Sequence, residues 1–328
     1  MNKIRVAIVF GGKSAEHEVS INSAKNIISA IDKNKYEVIE VKIEKNGDIS
    51  HFIKTLLEEK INVVFPVLHG PFGEDGTIQG MLKLMNVPFV GPSVLGSAIG
   101  MDKETAKRLL KEAGIPIARF VTITKKTNKT FSELKKELGL PFFVKPANLG
   151  SSVGIHKIKT ENEFDSAVAD AFKYDIKIIA EEFIRGREIE CSVLGNEEPI
   201  ASIPGEIIVS KNHDFYSYDA KYLDEKGADL IIPAKLTDKE KKDIQDLAIK
   251  TFIALECEGM SRVDFFLEES GRVFVNEINT IPGFTKISMY PKLFEASGIS
   301  YADLIDNLIT LAFERFNREQ GLQTSFER

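Results

Sequence analysis

The clearest chemical signal in this sequence is a pair of short apolar segments that carry charged and amide side chains, RVDFFLEESGRVFVNEIN over residues 262–279. Two such segments joined by a short turn are typical of a β-hairpin, and Ser270-Gly271 suits a two-residue turn. Side chains alternate between the two faces of a strand, so four polar residues would share one face. These four are Arg262, Asp264, Glu277 and Asn279, and the opposite, core face would hold Val263, Phe265, Phe274 and Ile278.

In that register Asp264 lies opposite Glu277, and two facing carboxylates destabilise a sheet unless a cation lies between them. Carboxylate and amide oxygens are hard ligands that suit Mg²⁺, which proteins usually share with the phosphates of a substrate. We therefore predict a magnesium site that includes Asn279. The alternative is a salt-bridged polar face on which Arg262 neutralises the acids. A turn of odd length would divide the four side chains between both faces and remove the site.

A second candidate for chemistry is the segment FFVKPANLGSSVG, residues 142–154. Lys145 ends an apolar strand there, and the N–H groups of the Gly/Ser loop that follows can surround phosphate oxygens. A plain turn is the alternative for this loop. Lys103 occupies the first turn of a predicted helix, where a purely structural role would favour an acid, although a solvated lysine is equally compatible. Gly12-Lys13-Ser14 is not a nucleotide P-loop, because the required upstream glycine is Ala7.

The surrounding elements predict two kinds of sheet. Ile4–Phe10, Tyr36–Ile43 and Asn62–Leu68 are strand-like runs separated by helical segments, and this order indicates a parallel sheet with helices on both faces. Ligands of such sheets bind at the carboxyl ends of the strands. From about residue 117 onward, short strands and helices alternate irregularly, which indicates α+β structure. The polar stretch 210–227 has no clear period, and loops of that length are usually functional or disordered.

Length and composition limit the class of protein. The 328 residues suffice for two or three domains, and 43% apolar and 28% charged residues are ordinary for a globular protein. A net charge of −6 gives no overall field that would attract nucleic acid or anionic lipid. No apolar run has the roughly 18 residues of a membrane span, and the N-terminus lacks a signal-peptide cleavage site. Cys191 and Cys257 are expected to be buried free thiols.

Together these motifs resemble the ATP-grasp enzymes, and among them the D-alanine–D-alanine ligase family. The resemblance covers about residues 4–315 and rests on eight segments in the family's order. They are GGKSAEHEVS (11–20), HGPFGEDGTIQG (69–80), GSAIGMDKETAKRLL (96–110), VKPANLGSSVGI (144–155), EEFIRGREIE (181–190), FYSYDAKY (215–222), SRVDFF (261–266) and NEINTIPGFT (276–285).

The resemblance implies a protein of mixed α/β and α+β class with the ATP-grasp fold. An N-terminal parallel-sheet, Rossmann-like domain would span residues 1–100 and hold the first D-alanine. A central α+β subdomain would span 101–185, and a C-terminal α+β subdomain with the metal and second-substrate sites would span 186–328. In the implied reaction, ATP phosphorylates the carboxylate of one D-alanine. The amine of a second D-alanine then displaces phosphate to give D-alanyl-D-alanine, a peptidoglycan precursor.

The resemblance also implies roles for individual residues. ATP would bind through Lys103, Lys145, Ser152, Glu181, Glu182, Phe183, Ile184, Glu188 and Phe266. Two Mg²⁺ ions, or Mn²⁺ in their place, would bind Asp264, Glu277 and Asn279. The first D-alanine would lie beside Glu16 and His69, and Glu16 would be linked to Ser151 and Tyr222. The further catalytic groups would be Arg262, the Gly283 N–H and Lys221, and the second substrate's carboxylate would meet Ser288 and Met289. The segment 210–222 would act as a lid.

Two alternatives to this function stay open. One is the same fold with another substrate: D-lactate or D-serine in second place, or a different carboxylate and amine. Lys221-Tyr222 resembles the dipeptide-forming type, whereas Lys286 departs from the family's pattern in the second-substrate loop. The other alternative is a nucleotide-binding regulator without turnover, in which the metal face would be broken. The resemblance further implies a cytoplasmic homodimer that binds neither nucleic acid nor membrane.

Overall fold

The computed structural model describes residues 3–210 and 227–323, which form three β-sheets with helices packed against them. The strands in these residues are β1 (Ile4–Gly11), β2 (Tyr36–Ile43), β3 (Val63–Val67), β4 (Phe120–Thr124), β5 (Phe142–Pro146), β6 (His156–Ile158), β7 (Lys177–Glu182), β8 (Arg187–Gly195), β9 (Ile200–Ala201), β10 (Gly205–Val209), β11 (Ala228–Ile231), β12 (Gly259–Leu267) and β13 (Val273–Asn279). The helices are α1 (His17–Ala30), α2 (Ser50–Glu58), α3 (Thr77–Leu84), α4 (Val94–Met101), α5 (Lys103–Glu112), α6 (Phe131–Leu138), α7 (Glu161–Ala171), α8 (Asp238–Ala254), α9 (Met289–Ala296) and α10 (Tyr301–Gln320).

The N-terminal sheet has the strand order β2-β1-β3, and its strands are parallel. Every residue of β3 is buried, as expected for a parallel strand that is covered on both faces. The parallel sheet predicted from the order of strands and helices is therefore confirmed. The carboxyl ends of β1 and β3 lead into Gly11-Gly12 and His69-Gly70, so both loops lie at one edge of the sheet.

The other two sheets are mainly antiparallel, which confirms the predicted α+β character of the later part of the chain. The central sheet has the order β4-β7-β5-β6, and the C-terminal sheet has the order β11-β10-β8-β12-β13, with β9 paired to β8. The three sheets arise from the segments 4–67, 120–182 and 187–279. The exact division into domains at residues 100 and 185 stays a prediction.

The hairpin β12–β13 has the predicted pairing at its functional end. Asp264 pairs with Glu277, and Arg262 pairs with Asn279. Val263 is buried, whereas Arg262 and Asp264 are only partly buried, so the charged side chains and the core side chains occupy opposite faces. The face predicted to carry the acids is therefore confirmed.

The turn of this hairpin differs from the prediction. The N–H of Glu268 donates to the carbonyl of Arg272 at 3.0 Å, which leaves three residues in the turn instead of two. That odd length would have reversed the faces, but a β-bulge at Asn276 supplies one extra residue and restores the pairing beyond it. Between the turn and the bulge the predicted alternation is wrong. Phe274 pairs with Phe266 on the partly buried face and does not join the core.

The C-terminal helix α10 packs against the N-terminal sheet. Leu304, Ile305 and Leu308 share one buried cluster with Val6 and Ile8 of β1. The beginning and the end of the chain thus form a common hydrophobic core. Among the described residues, no helix has the length and apolar character to cross a membrane, and both cysteines are buried free thiols as predicted.

Candidate active site

Two adjacent cavities contain most of the predicted site residues. The first, of about 400 Å³, lies between the central and C-terminal sheets. The second, of about 740 Å³, is lined by loops of the N-terminal sheet, by the Gly/Ser loop after β5 and by the segment after β13. Glu190, Ile207 and Glu277 line both cavities. The two spaces therefore meet at the acidic face of the β12–β13 hairpin.

On the acidic face, Arg262 forms a two-point contact with Asp264. Its Nε and Nη2 atoms lie 2.7 and 2.8 Å from the two carboxylate oxygens. The same Nε lies 3.0 Å from Oε2 of Glu190, a residue that the sequence analysis did not select. The amide nitrogen of Asn279 donates to Asp264 at 3.0 Å. The four predicted residues thus lie together, and Arg262 does pair with an acid as the salt-bridge alternative proposed.

The donor chemistry of this face fits a hard divalent cation. Three carboxylates, those of Glu190, Asp264 and Glu277, face two cations, Arg262 and Lys103, which leaves an excess of negative charge. Among residues 3–210 and 227–323, no three His, Cys, Asp or Glu side chains converge in a cluster that could hold a metal ion. Any Mg²⁺ would therefore depend on the Asn279 amide oxygen and on substrate oxygens in addition to carboxylates.

Lys103 is positioned by the start of α5. Asp102 caps this helix by accepting the N–H of Thr105 at 2.9 Å, and it also binds Lys177 at 2.6 Å. The Nζ atom of Lys103 lies 3.3 Å from Glu277 and donates to the carbonyl of Leu149 at 2.7 Å. The helix cap thus places a lysine between the acidic face and the Gly/Ser loop.

Lys145 lies in a buried group of three charges. Its Nζ is 2.9 Å from Oε1 of Glu181, and the Nζ of Lys107 is 2.8 Å from Oε2 of the same carboxylate. Burial alone would raise the pKa of Glu181, but the two lysines more than offset it and hold this pKa below its usual value. Lys107 was not selected from the sequence, although its i,i+4 spacing from Lys103 on one helix face was a usable signal.

The apolar side of the first cavity carries the residues predicted to hold the adenine. Phe143 and Phe183 lie with their ring centroids 6.0 Å apart, and the Nζ of Lys157 lies 4.0 Å from the Phe183 centroid. Glu182 accepts a hydrogen bond from the Nε of Arg119 at 2.6 Å, which links β7 to the residue directly before β4. The other residues predicted to bind ATP that line this cavity are Lys145, Ser152, Glu181, Ile184, Glu188 and Phe266, and the predicted metal ligands Asp264 and Glu277 line it as well.

The Gly/Ser loop after β5 has an unusual backbone. Ser151 and Ser152 both have positive φ angles, 52° and 58°, which are rare for residues with a side chain. Ser152 lines the first cavity and Ser151 lines the second, so the loop separates them. Strained backbone of this kind is frequent at binding sites, where successive N–H groups can face an anion.

The far side of the second cavity contains three titratable groups, of which His69 is buried and Glu16 and Glu74 are partly buried. Glu16 lies beside the Gly/Ser loop, since a Cβ placed on Gly150 would be 3.7 Å from its Oε2 atom. The Nδ1 of His69 shares a hydrogen bond of 3.0 Å with the carbonyl of Ile281. Burial lowers the pKa of His69, although the nearby Glu16 opposes that shift. The predicted pair Glu16 and His69 therefore faces one space.

Glu74 is the third group, and the sequence analysis missed it. Its Oε2 accepts the N–H of Gly70 at 2.6 Å, and it lines the second cavity. Burial first, and then the negative charge of Glu16, raise the pKa of Glu74 to about 8. Its place in the motif HGPFGEDG was visible in the sequence, but nothing in that motif shows that the side chain turns inward.

The loop after β13 forms the remaining wall of the second cavity. Ser288 precedes α9, and its Oγ accepts the N–H of Thr285 at 2.9 Å. A Cβ on Gly283 would lie only 2.8 Å from this Oγ, so the glycine allows the loop to close on itself. Met289 is buried at the first turn of α9. The predicted catalytic residues Lys221 and Tyr222, and with them most of the predicted lid, lie outside the described residues.

Comparisons with known proteins identify relatives of this architecture. The family D-ala D-ala ligase N-terminus matches residues 5–56 and 50–92, and the family D-ala D-ala ligase C-terminus matches residues 109–310. The D-alanine–D-alanine ligase of Oceanobacillus iheyensis is 52% identical over 98% of this chain and 99% of its own length.

Solved structures give the same relationship. The D-alanine–D-alanine ligase of Coxiella burnetii superposes with a TM-score of 0.87 at 38% identity, covering 98% of this chain and 97% of that chain. The D-alanine–D-alanine ligase of Bacillus anthracis complexed with ATP superposes with a TM-score of 0.83 at 29% identity, covering 96% of this chain and 99% of that one.

Proposed function

Because the chain belongs to the D-alanine–D-alanine ligase family, with the ATP-grasp fold, we propose that this enzyme joins two D-alanine molecules at the expense of ATP. The observation that carries the proposal is the junction of the two cavities at Glu277. A nucleotide in the first cavity would present its terminal phosphate to an amino acid in the second, across one acidic face.

In the proposed first step, a carboxylate oxygen of the first D-alanine attacks the γ-phosphorus of ATP. The bond between the β,γ-bridging oxygen and the γ-phosphorus breaks, and ADP and D-alanyl phosphate result. Lys103 and Lys145 would bind the phosphates, because Lys145 lines the first cavity and the Nζ of Lys103 lies 3.3 Å from Glu277, where the two cavities meet. The adenine would lie against Phe183, Ile184 and Phe266, and Glu181 and Glu188 would contact the adenosine.

In the proposed second step, the neutral amine of the second D-alanine attacks the acyl carbon, the bond between this carbon and the phosphate oxygen breaks, and the proton lost by the nitrogen leaves with the phosphate as HPO₄²⁻. Arg262 and the Gly283 N–H would stabilise the oxyanion that forms at this carbon. The carboxylate of the second substrate would meet Ser288 and Met289, where the first N–H groups of α9 attract an anion.

The first D-alanine would be held in the second cavity by its ammonium group. Glu16 is the proposed acceptor of this group, with Ser151 and Tyr222 beside it, and His69 lies across the same space. Lys221 is proposed to act with Tyr222 in a lid over residues 210–222 that would exclude water from the acylphosphate.

Asp264, Glu277 and Asn279 are the proposed ligands of two Mg²⁺ ions, for which Mn²⁺ would substitute. The excess of carboxylates on this face and its position between the cavities support the assignment. When bound, such ions neutralise phosphate charge and polarise the transferred phosphoryl group. The protein's own contribution is the fixed spacing of the three side chains across paired strands.

The wider role follows from the product. D-Alanyl-D-alanine is a peptidoglycan precursor, and we propose that this enzyme supplies it in the cytoplasm as a homodimer of three-domain subunits. The named relatives are bacterial ligases of this type, which supports the proposal.

An activity assay with a panel of substrates tests the function. Purified protein with ATP, Mg²⁺ and D-alanine should release phosphate and form the dipeptide, as followed by phosphate detection and mass spectrometry. L-Alanine should give no product, and Glu277→Gln should lower the rate by roughly 100-fold or more. When D-lactate or D-serine is offered together with D-alanine, the mixed product should form in smaller amount than D-alanyl-D-alanine.

The outcomes distinguish the alternatives left open by the sequence. Preferential formation of an ester or of a D-alanyl-D-serine product would change the assignment of the second substrate. ATP binding without phosphate release would identify a nucleotide-binding regulator. Full activity of the Glu277→Gln variant would refute the proposed role of the acidic face.

A further inference from the structure

Lys107 is a fully buried lysine to which the proposed mechanism gives no role. It lies on α5 with 1% of its surface exposed. Its Nζ binds Oε2 of Glu181 at 2.8 Å and donates to the main-chain carbonyl of Asn276 at 3.3 Å. Glu181 belongs to β7 of the central sheet, and Asn276 belongs to β13 of the C-terminal sheet. One ammonium group therefore joins a helix to both walls of the first cavity.

Glu181 is contacted by two lysines, one more positive charge than a structural ion pair requires. One lysine would neutralise this carboxylate, yet each of its two oxygens has its own lysine, Lys145 on Oε1 and Lys107 on Oε2. The three groups together carry a net charge of +1. Burying a further charged group is costly, and apolar side chains of similar volume often serve a core at least as well. The second lysine therefore needs an explanation beyond packing.

The geometry of α5 gives that explanation. Lys103 and Lys107 are four residues apart and lie on one helix face, with Lys103 on Glu277 and Lys107 on Glu181. Burial lowers the pKa of Lys107, and the contact with Glu181 opposes that shift. With Glu181 held from one side by Lys107, the ammonium charge of Lys145 is not consumed by its own ion pair.

We propose that Lys107 is a positioning residue of the nucleotide site, which fixes and neutralises Glu181 so that the charge of Lys145 is available to a phosphate of ATP. The inference rests on the proposed function of the first cavity as the ATP site. Lys107 also holds the carbonyl of Asn276, the bulge residue directly before Glu277, so the same contact supports the backbone of the acidic face.

The variant Lys107→Met, which keeps the volume and removes the charge, tests the proposal in the full-length enzyme. We expect the KM for ATP and the dissociation constant of ATP with Mg²⁺ to rise by roughly tenfold or more. The KM for D-alanine should stay within about twofold, because Lys107 does not line the second cavity, where D-alanine is proposed to bind. Lys111→Met, at an exposed site in the last turn of the same helix, is the matched control and should behave as wild type.

A double-mutant cycle with Glu181→Gln shows whether Lys107 acts through Glu181. In the Glu181→Gln background, the additional change Lys107→Met should weaken ATP binding by less than about twofold. Equal losses in both backgrounds would overturn the proposal, as would a folded Lys107→Met protein with wild-type ATP affinity. If Lys107→Met does not fold, Lys107→Gln undergoes the same measurements with the same criteria.

Measurements of ATP binding and of phosphate release by the wild-type enzyme distinguish a failure of this proposal from a failure of the proposed function. If wild-type protein binds ATP but releases no phosphate with D-alanine, the ligase function fails, whereas the binding cycle on Lys107 and Glu181 still decides the role of Lys107. If wild-type protein does not bind ATP with Mg²⁺, both proposals fail together.

Discussion

Glu74 and Glu16 are two partly buried carboxyl groups that line the same cavity. Glu74 accepts a backbone N–H and faces the charge of Glu16, and burial raises its pKa to about 8. Burial beside another negative charge is a common way to keep a carboxyl group protonated near neutral pH. In this site the protonated group would be Glu74, which leaves the negative charge of Glu16 available to an ammonium group.

The raised pKa predicts how stability depends on pH. Between about 4.5, the ordinary value, and about 8, the folded protein keeps a proton on Glu74 that the unfolded chain has lost. This group therefore lowers the stability of the wild type as pH rises through that window. Glu74→Gln should gain stability relative to wild type between pH 5 and 8, by up to about 1.4 kcal/mol per pH unit. Urea unfolding at several pH values measures the difference.

The matched control is Glu58→Gln, which changes a carboxylate that is 64% exposed at the end of α2. Its difference from wild type should be constant over the same pH range. A constant difference for Glu74→Gln would show that Glu74 has lost its proton well below pH 8.

At the scale of single residues, sequence reasoning identified site positions mainly through the motifs. Lys103, Lys145 and the acids of the hairpin had a physical signal of their own, because charge at those places is costly without a purpose. Glu16 and His69 had none, since an acid near a helix start and a histidine in a loop are ordinary features. They come together because the loops after β1 and β3 meet at one edge of the N-terminal sheet, and this tertiary arrangement is not encoded by local pattern.

At the scale of elements, the β12–β13 hairpin shows what an alternating pattern can and cannot predict. The pairing of Asp264 with Glu277 was predicted from an assumed two-residue turn together with strand alternation, and the pairing is correct. The assumed two-residue turn is wrong, and the result survives because the bulge at Asn276 compensates for a three-residue turn. The longer turn and the bulge each shift the strand register by one residue, and the two shifts cancel. Counting residues between Asp264 and Glu277 therefore gives the correct pairing even though the turn was assigned wrongly.

The cap of α5 leads to a prediction about an element. Asp102 accepts the Thr105 N–H and binds Lys177, and Lys103 follows it directly. Asp102→Ala should lower the free energy of unfolding by about 1–2 kcal/mol, whereas Asp102→Asn, which keeps an acceptor for the cap, should cost less. The alanine variant should also weaken ATP binding, because the first turn that positions Lys103 loosens. Urea unfolding and ATP titration measure the two effects.

Ser93→Ala provides the control for this helix cap. Ser93 caps the preceding helix α4 by accepting the N–H of Gly96 at 3.4 Å. Its loss should reduce stability without a change in ATP affinity, since α4 contributes no residue to the first cavity. If both alanine variants weakened ATP binding equally, the cap of α5 would have no specific role in positioning Lys103.

At the scale of the whole molecule, the chain does not fold as a simple series of independent units. The helix α10, the last element, packs into the core of the first sheet, so residues almost 300 positions apart stabilise one another. The apolar residues of α10 give it one buried face, but such a face does not by itself specify which sheet covers it. The parallel sheet, the α+β remainder and the acidic face were predictable from pattern, whereas this long-range closure was not.

The shared core makes the N-terminal sheet dependent on α10. Leu308→Ala, at a side chain with 1% exposure, should cost about 2–5 kcal/mol through lost burial and a residual cavity. Because Leu308 contacts the cluster of β1 and β3, hydrogen exchange of both strands should accelerate together with that of α10. Leu322→Ala, at a side chain with 68% exposure just after α10, should change stability by less than about 0.5 kcal/mol. Faster exchange confined to α10 would mean that the sheet keeps its core without the helix.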